Sequence, residues 1–158
     1  MKQVIHTDHA PAAVGPYSQA IKLENLIFTA GQIGLDPATG KIVEGGIEAQ
    51  TRQVMNNLQA VLKEAGAPMN TIVKTTIFLT DLGNFATVNG IYGEFFADAP
   101  PARNALASRF HGYSDKVLGT LAVVVTARRK SDDSEIRTRL GPNAAHERPL
   151  RGRRERGR

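Results

Sequence analysis

Between Ile47 and Ala65 the apolar residues Ile47, Val54, Leu58, Val61, Leu62 and Ala65 recur at helical spacing, with Glu48, Arg52, Gln53, Gln59 and Lys63 on the opposite side. A stripe of that kind must be buried against another element, so this helix commits the chain to a layered core. Gly66 stands where a helix ends in a left-handed residue. The period then changes. Ile72-Val73-Lys74-Thr75-Thr76-Ile77-Phe78-Leu79 alternates and is rich in β-branched residues, the pattern of a strand buried on one face.

The flanking segments extend this alternation of periods. Ser18 to Leu23 and Leu26 to Gln32 read as strands around Glu24-Asn25, a two-residue break that suits a hairpin turn. Gly31 and Gly34 bracket the end of the second run, and Asp36-Pro37-Ala38-Thr39-Gly40 has turn chemistry. Asn84 is placed to cap a second helix carrying Phe85, Val88, Ile91, Tyr92, Phe95 and Phe96, ended by Pro100 and Pro101. Arg103 to Leu106 and Leu121 to Ala127 supply two late strands, joined by a loop over 111–120. The order predicts an α+β domain with two helices packed on one face of a mixed sheet. The face left uncovered predicts an oligomer.

Composition narrows the function classes. The 158 residues fit one domain, expected over 1–130, with a basic, disordered tail over 131–158 that has too few apolar residues to order itself. The absence of cysteine excludes disulfides, thiolate zinc sites and a cysteine nucleophile. No window approaches the length of a membrane span and no signal-like run opens the chain, so a cytoplasmic protein with no membrane partner is expected. The net charge of +5 is carried entirely by the end: residues 1–126 hold nine Lys+Arg against ten Asp+Glu. A polyanion would therefore meet only the tail, nonspecifically.

The stretch Pro100-Pro101-Ala102-Arg103 delivers an arginine to the start of a strand. Together with Ala10-Pro11-Ala12-Ala13-Val14-Gly15-Pro16-Tyr17-Ser18-Gln19-Ala20, Phe28-Thr29-Ala30-Gly31-Gln32-Ile33-Gly34, Val73 to Leu82, and Phe85-Ala86-Thr87-Val88-Asn89 followed by Tyr92 and Phe95-Phe96, it resembles the RidA/YjgF family of enamine/imine deaminases. The resemblance runs in register over residues 1–103. It implies a chorismate-mutase-like (YjgF/RidA-like) fold, a homotrimer with clefts between subunits, and no cofactor. It also implies the activity of a 2-iminobutanoate/2-iminopropanoate deaminase, which hydrolyses 2-aminoacrylate and related imines to 2-oxo acids and ammonia. By resemblance, Arg103 pairs with the substrate carboxylate, while Tyr17, Gly31 and Asn89 line the same cleft, with Arg103 and Tyr17 in the catalytic roles.

The residue types suit that chemistry. A planar guanidinium donates two parallel, charge-assisted hydrogen bonds to a carboxylate. Each residue also has a plainer reading: a surface ion pair for Arg103, a half-buried strand aromatic for Tyr17, a local backbone bond for Asn89, a bulge or turn for Gly31. His6, Asp8 and His9 supply too few convergent ligands for a metal. No nucleophile elbow, P-loop or dinucleotide fingerprint is present. Imine hydrolysis asks for less, because the carbon is already electrophilic and a site need only hold the carboxylate and orient a water.

Beyond Arg103 the chain leaves the family pattern. Family members end on a strand reading roughly I-E-I-E-A, whose first glutamate orients the hydrolytic water, whereas Leu121-Ala122-Val123-Val124-Val125-Thr126-Ala127 contains no carboxylate. Residues 1–100 hold five lysines and one arginine, and 101–158 hold two lysines and twelve arginines. A frame change in a GC-rich source gene near codon 104 yields such text; the alternative is a natural variant whose late strand is refilled by pattern. Two further function classes stay open: a non-catalytic oligomer that binds small carboxylates, and an RNA-binding or ribonuclease-like inhibitor of translation.

Overall fold

The computed structural model describes residues 1–96, 98–108 and 121–128. Eight strands and α-helices follow in chain order among the described residues: strands β1 (Lys2–Ile5), β2 (Ala20–Leu23) and β3 (Leu26–Thr29), helix α1 (Gly46–Glu64), strand β4 (Ile72–Leu79), helix α2 (Phe85–Glu94), and strands β5 (Ala102–Ala107) and β6 (Leu121–Arg128). They form one six-stranded sheet in the order β1-β2-β3-β6-β4-β5. All neighbours are antiparallel except β4 and β5. The sheet is mixed, as expected. The loop expected at 111–120 and the tail expected at 131–158 lie outside the described residues.

The helical stripe of α1 is the heart of the core. Val54, Met55, Leu58, Val61 and Leu62 are fully buried, and they meet Ile27 of β3, Ile77 and Leu79 of β4 and Ala127 of β6. In β4 the alternation holds along the strand: Thr75, Ile77 and Leu79 are buried, while Thr76 and Phe78 between them are less so. Gly66, with φ of 76°, takes the left-handed conformation after the Ala65 cap, as the sequence requires.

The opposite face of the sheet carries a row of uncovered apolar residues. Val4, Ile21 and Phe28 stand side by side across β1, β2 and β3, and Leu106 extends the same face on β5. Val4 is 59% exposed, Phe28 44% and Leu106 46%, so the helices cover one face only.

Four local expectations are corrected. β1 is an additional strand that the sequence reading did not predict; its four residues offer no clear alternation, and pairing to β2 defines it. β2 and β3 are shorter than the predicted runs: β2 starts at Ala20 and β3 ends at Thr29. Asn84 makes no capping bond and is itself helical; Asp81 does that work, its Oδ1 accepting from the Gly83 amide at 2.8 Å to open a short 3₁₀ turn before α2. Finally, α2 stops at Glu94, well before Pro100, leaving Phe96 to be buried from the loop that follows.

The two helices are clamped externally by Arg52 and Glu94, whose bonds measure 2.6 and 3.0 Å. The Arg52 hydrogen bond holds the Glu94 carboxyl below its ordinary value of 4.5. A lowered folded-state value stabilises above the unfolded value and is lost as pH falls through the folded one. Urea unfolding from pH 7 to pH 2.5 is therefore expected to show Glu94→Gln less stable than the parent at neutral pH, with the difference vanishing on the acid side. At the core, Leu58→Ala is expected to cost about 2–5 kcal/mol in the same assay, the usual range for a buried leucine.

Candidate functional site

Arg103 is the second residue of β5, and the parallel register sets it beside Thr75 of β4. In-register neighbours point to the same side of a sheet, so the side chain rises toward the helices instead of the bare face. There it meets α2. Phe85, Asn89 and Tyr92 are spaced at four and three residues and therefore share one helix face. The Arg103 Nη2 donates to Asn89 Oδ1 at 2.7 Å. Its guanidinium carbon lies 4.8 Å from the centre of the Tyr92 ring and 5.5 Å from that of Phe85, within cation–π range.

Among the described residues no carboxylate stands within ion-pair reach of Arg103; the acid-base contacts there are His6 with Asp8 and Arg52 with Glu94. The plainer reading of Arg103 as a surface ion pair is thus not what the structure shows. Asn89 likewise bonds to the arginine and not to nearby backbone. The guanidinium is oriented by an amide and two ring faces, and it keeps donors to spare.

Tyr92 is buried beneath it and shares a 2.9 Å hydrogen bond with Thr75 Oγ1. Burial pushes its phenol above the ordinary value of 10.0, against the opposing pull of the Thr75 bond and of Arg103. The ring is therefore a neutral floor at physiological pH. The sequence reading counted Tyr92 among the apolar residues of the second helix and did not assign it to the site; its spacing to Asn89 was the available signal.

Tyr17 and Gly31 lie elsewhere. Tyr17 precedes β2 and is 53% exposed, its hydroxyl accepting from the Val14 amide at 3.2 Å; it is not on a strand. Gly31 follows β3 and is exposed. β3 is separated from β5 by β6 and β4, which is three strand spacings, or about 14 Å. One chain brings Arg103 and Asn89 together and leaves Tyr17 and Gly31 on the far side of the sheet.

That second half has its own buttresses. Gln19 is buried; its Oε1 accepts from the Thr7 amide, while its Nε2 donates to the carbonyls of Thr7, Ala10 and Pro11. Its backbone carbonyl also accepts from the Ala30 amide beside Gly31. Asn57 of α1 donates to the carbonyls of Ile33 and Leu35, pinning the segment that leaves Gly31.

Two other features carry no comparable chemistry. A cavity of about 930 Å³ runs along the C-terminal half of α1, lined by Thr7, His9, Gln59, Lys63, Glu64 and Met69 among others. It contains none of the four candidate residues, and its adjacent Lys63 and Glu64 offset one another in charge. His6 and Asp8 form an exposed pair at 3.2 Å, and no cluster of three metal-ligating side chains occurs among the described residues.

A six-stranded sheet with two helices on one face and an arginine at the head of its edge strand defines the YjgF-like class of α+β proteins, and solved structures agree. A putative endoribonuclease from Thermotoga maritima superposes with a TM-score of 0.75 at 37% identity, covering 83% of this chain and all of that one. The YjgF gene product from E. coli gives 0.73 at 38% identity, covering 81% of this chain and 99% of its own. The family described as Endoribonuclease L-PSP matches residues 7–109, and the chain belongs to it, the same RidA/YjgF family that its motifs resemble. Among curated relatives, a RutC family protein of Pyrococcus abyssi is 53% identical over 105 residues, 66% of this chain and 83% of that protein. The 2-iminobutanoate/2-iminopropanoate deaminase of Mus musculus is 47% identical over 105 residues, 66% of this chain and 78% of its own.

Removing the Gln19 amide strands four backbone groups, three in buried bonds and the Pro11 carbonyl in a part-buried one. Gln19→Ala is expected to lose about 2–3 kcal/mol in urea unfolding, with amide exchange accelerating first at Thr7, whose N–H loses the Gln19 Oε1 acceptor.

Proposed function

We propose that this protein is an enamine/imine deaminase, hydrolysing 2-iminobutanoate, 2-iminopropanoate and their 2-aminoacrylate-type precursors to 2-oxo acids and ammonia. The observation that carries the reading is the Arg103 guanidinium, oriented by Asn89, Tyr92 and Phe85 yet without a carboxylate partner among the described residues. A small 2-imino acid brings that carboxylate. The fork fixes the acid group, which leaves the C=N carbon in a defined position for water.

Assembly completes the site in this reading. Three copies in a ring cover the bare sheet face bearing Val4, Phe28 and Leu106, and each places its Tyr17 and Gly31 beside the Arg103 of a neighbour. The distance between the halves within one chain and the exposed apolar row both support a homotrimer. The same reading makes Tyr17 and Gly31 substrate-binding residues across that boundary, with no cofactor, in the cytoplasm. The domain ends near residue 130, and the basic segment beyond it meets nucleic acid only nonspecifically.

A second reading has an observation of its own. β6 carries no aspartate or glutamate, so the group that orients water in the family pattern is missing, and an assembly that holds small carboxylates without turning them over fits that absence. Loss of an acid/base group commonly costs about 10²–10⁴ in rate, which leaves hydrolysis slow but measurable.

Ammonia and pyruvate release from enzymatically generated 2-aminoacrylate separates the two. The deaminase reading expects turnover about 10²–10⁴ below that of the mouse relative, and a further loss of about 100-fold in kcat/KM for Arg103→Ala, which deletes two charge-assisted bonds. Equal rates with Arg103→Ala and with buffer, alongside pyruvate binding that Arg103→Ala abolishes, would leave only the binding protein. The trimer expects a solution mass near three chains of 17.1 kDa, and co-expression of Arg103→Ala with Tyr17→Ala copies is expected to restore part of the activity that each lacks alone.

A further inference from the structure

The guanidinium of Arg103 needs more than one hydrogen bond to hold a direction. Asn89 takes a single Nη2 proton, which leaves the side chain free to swing about that contact. What restricts the swing is the pair of rings, Tyr92 nearer at 4.8 Å and Phe85 at 5.5 Å. Phe85 is partly exposed and has no polar anchor. Tyr92 is different. It is buried, its hydroxyl is tied to Thr75 Oγ1 at 2.9 Å, and its ring packs against that of Phe96 at a centroid distance of 4.6 Å. Thr75 is also the β4 residue in register with Arg103. The backbone ladder that positions the arginine therefore positions, one strand away, the hydroxyl that fixes the ring beneath it.

Resting on the carboxylate-binding reading of Arg103, we propose that Tyr92 is a positioning residue: anchored by Thr75, its ring face holds the Arg103 guanidinium in the orientation that receives the substrate carboxylate. The role belongs to the ring and its tether, and no proton passes through the phenol. A guanidinium held over a ring face, with one Nη2 proton on Asn89, keeps further N–H groups from which a planar carboxylate can accept two parallel bonds.

The experiment measures pyruvate binding by calorimetry and the Arg103 side-chain resonances by NMR, on the full chain. In the parent protein, Arg103 Hε and Hδ signals are expected upfield of those of the other arginines, the signature of a ring face. Tyr92→Leu is expected to weaken pyruvate binding about five- to tenfold, the scale of one cation–π contact, raising KM more than it lowers kcat and returning the Arg103 signals to ordinary positions. Tyr92→Phe retains the face and is expected to bind within about threefold of the parent, and Thr75→Val, which cuts the tether, to fall between the two.

Ordinary Arg103 shifts in the parent overturn the proposal, and that readout stands even if Tyr92→Leu does not fold. A folded Tyr92→Leu that binds pyruvate as tightly as the parent also overturns it. Failure of the underlying reading looks different: pyruvate binding would then be unchanged in Arg103→Ala.

Discussion

The pairing of β4 with β5 is the constraint from which the candidate site follows. It is the one parallel pair in the sheet, and its register sets Thr75 against Arg103 and Leu79 against Ala107, with the Ser108 amide closing the far end on the Leu79 carbonyl at 2.8 Å. Side chains alternate along a strand, so a slip of one residue would turn Arg103 away from α2 and onto the bare face. The guanidinium would then lose Asn89, Tyr92 and Phe85 together. What looks like a side-chain site is fixed by backbone hydrogen bonds.

The same sheet separates what the motifs suggest belongs together. Register and strand order keep the Tyr17–Gly31 end apart from Arg103 among the described residues. An energetic pressure to associate comes from the opposite face. Val4, Ile21 and Phe28 present a contiguous apolar row, and rows of that kind are usually covered by another chain. In the trimer proposed above, burying the uncovered face and completing the site are one event.

The legibility of these features in the sequence follows their physical origin. α1 was readable because its period persists over five turns, and β4 because alternation and β-branching agree there. β1 was not, since four residues carry too little pattern and pairing alone defines them. Asn84 has the right chemistry for a cap but sits inside the 3₁₀ turn that Asp81 opens, a competition between two Asx residues three positions apart that composition does not settle. The prolines at 100 and 101 overstated the length of α2, because a helix is free to end before its breaker. At the site, Arg103 and Asn89 stood out as polar residues needing a reason. Tyr92 did not, because an aromatic at core spacing on an amphipathic helix has a sufficient reason in burial, and its second role depends on a register that no local pattern encodes.

The last strand shows how separately fold and chemistry are specified. The family match ends at residue 109, yet β6 lies between β3 and β4 and pairs with both. Ladder hydrogen bonds are made by main-chain groups and accept any residue but proline, and a run of valines satisfies the β propensity of a central strand as well as the family text does. A water-orienting carboxylate has no such redundancy, since one oxygen at one position does the work. A strand can therefore be rewritten with its place in the sheet intact and its chemistry gone. In this chain Arg103 stands within the stretch that matches the family, and β6, which carries no carboxylate, stands beyond it.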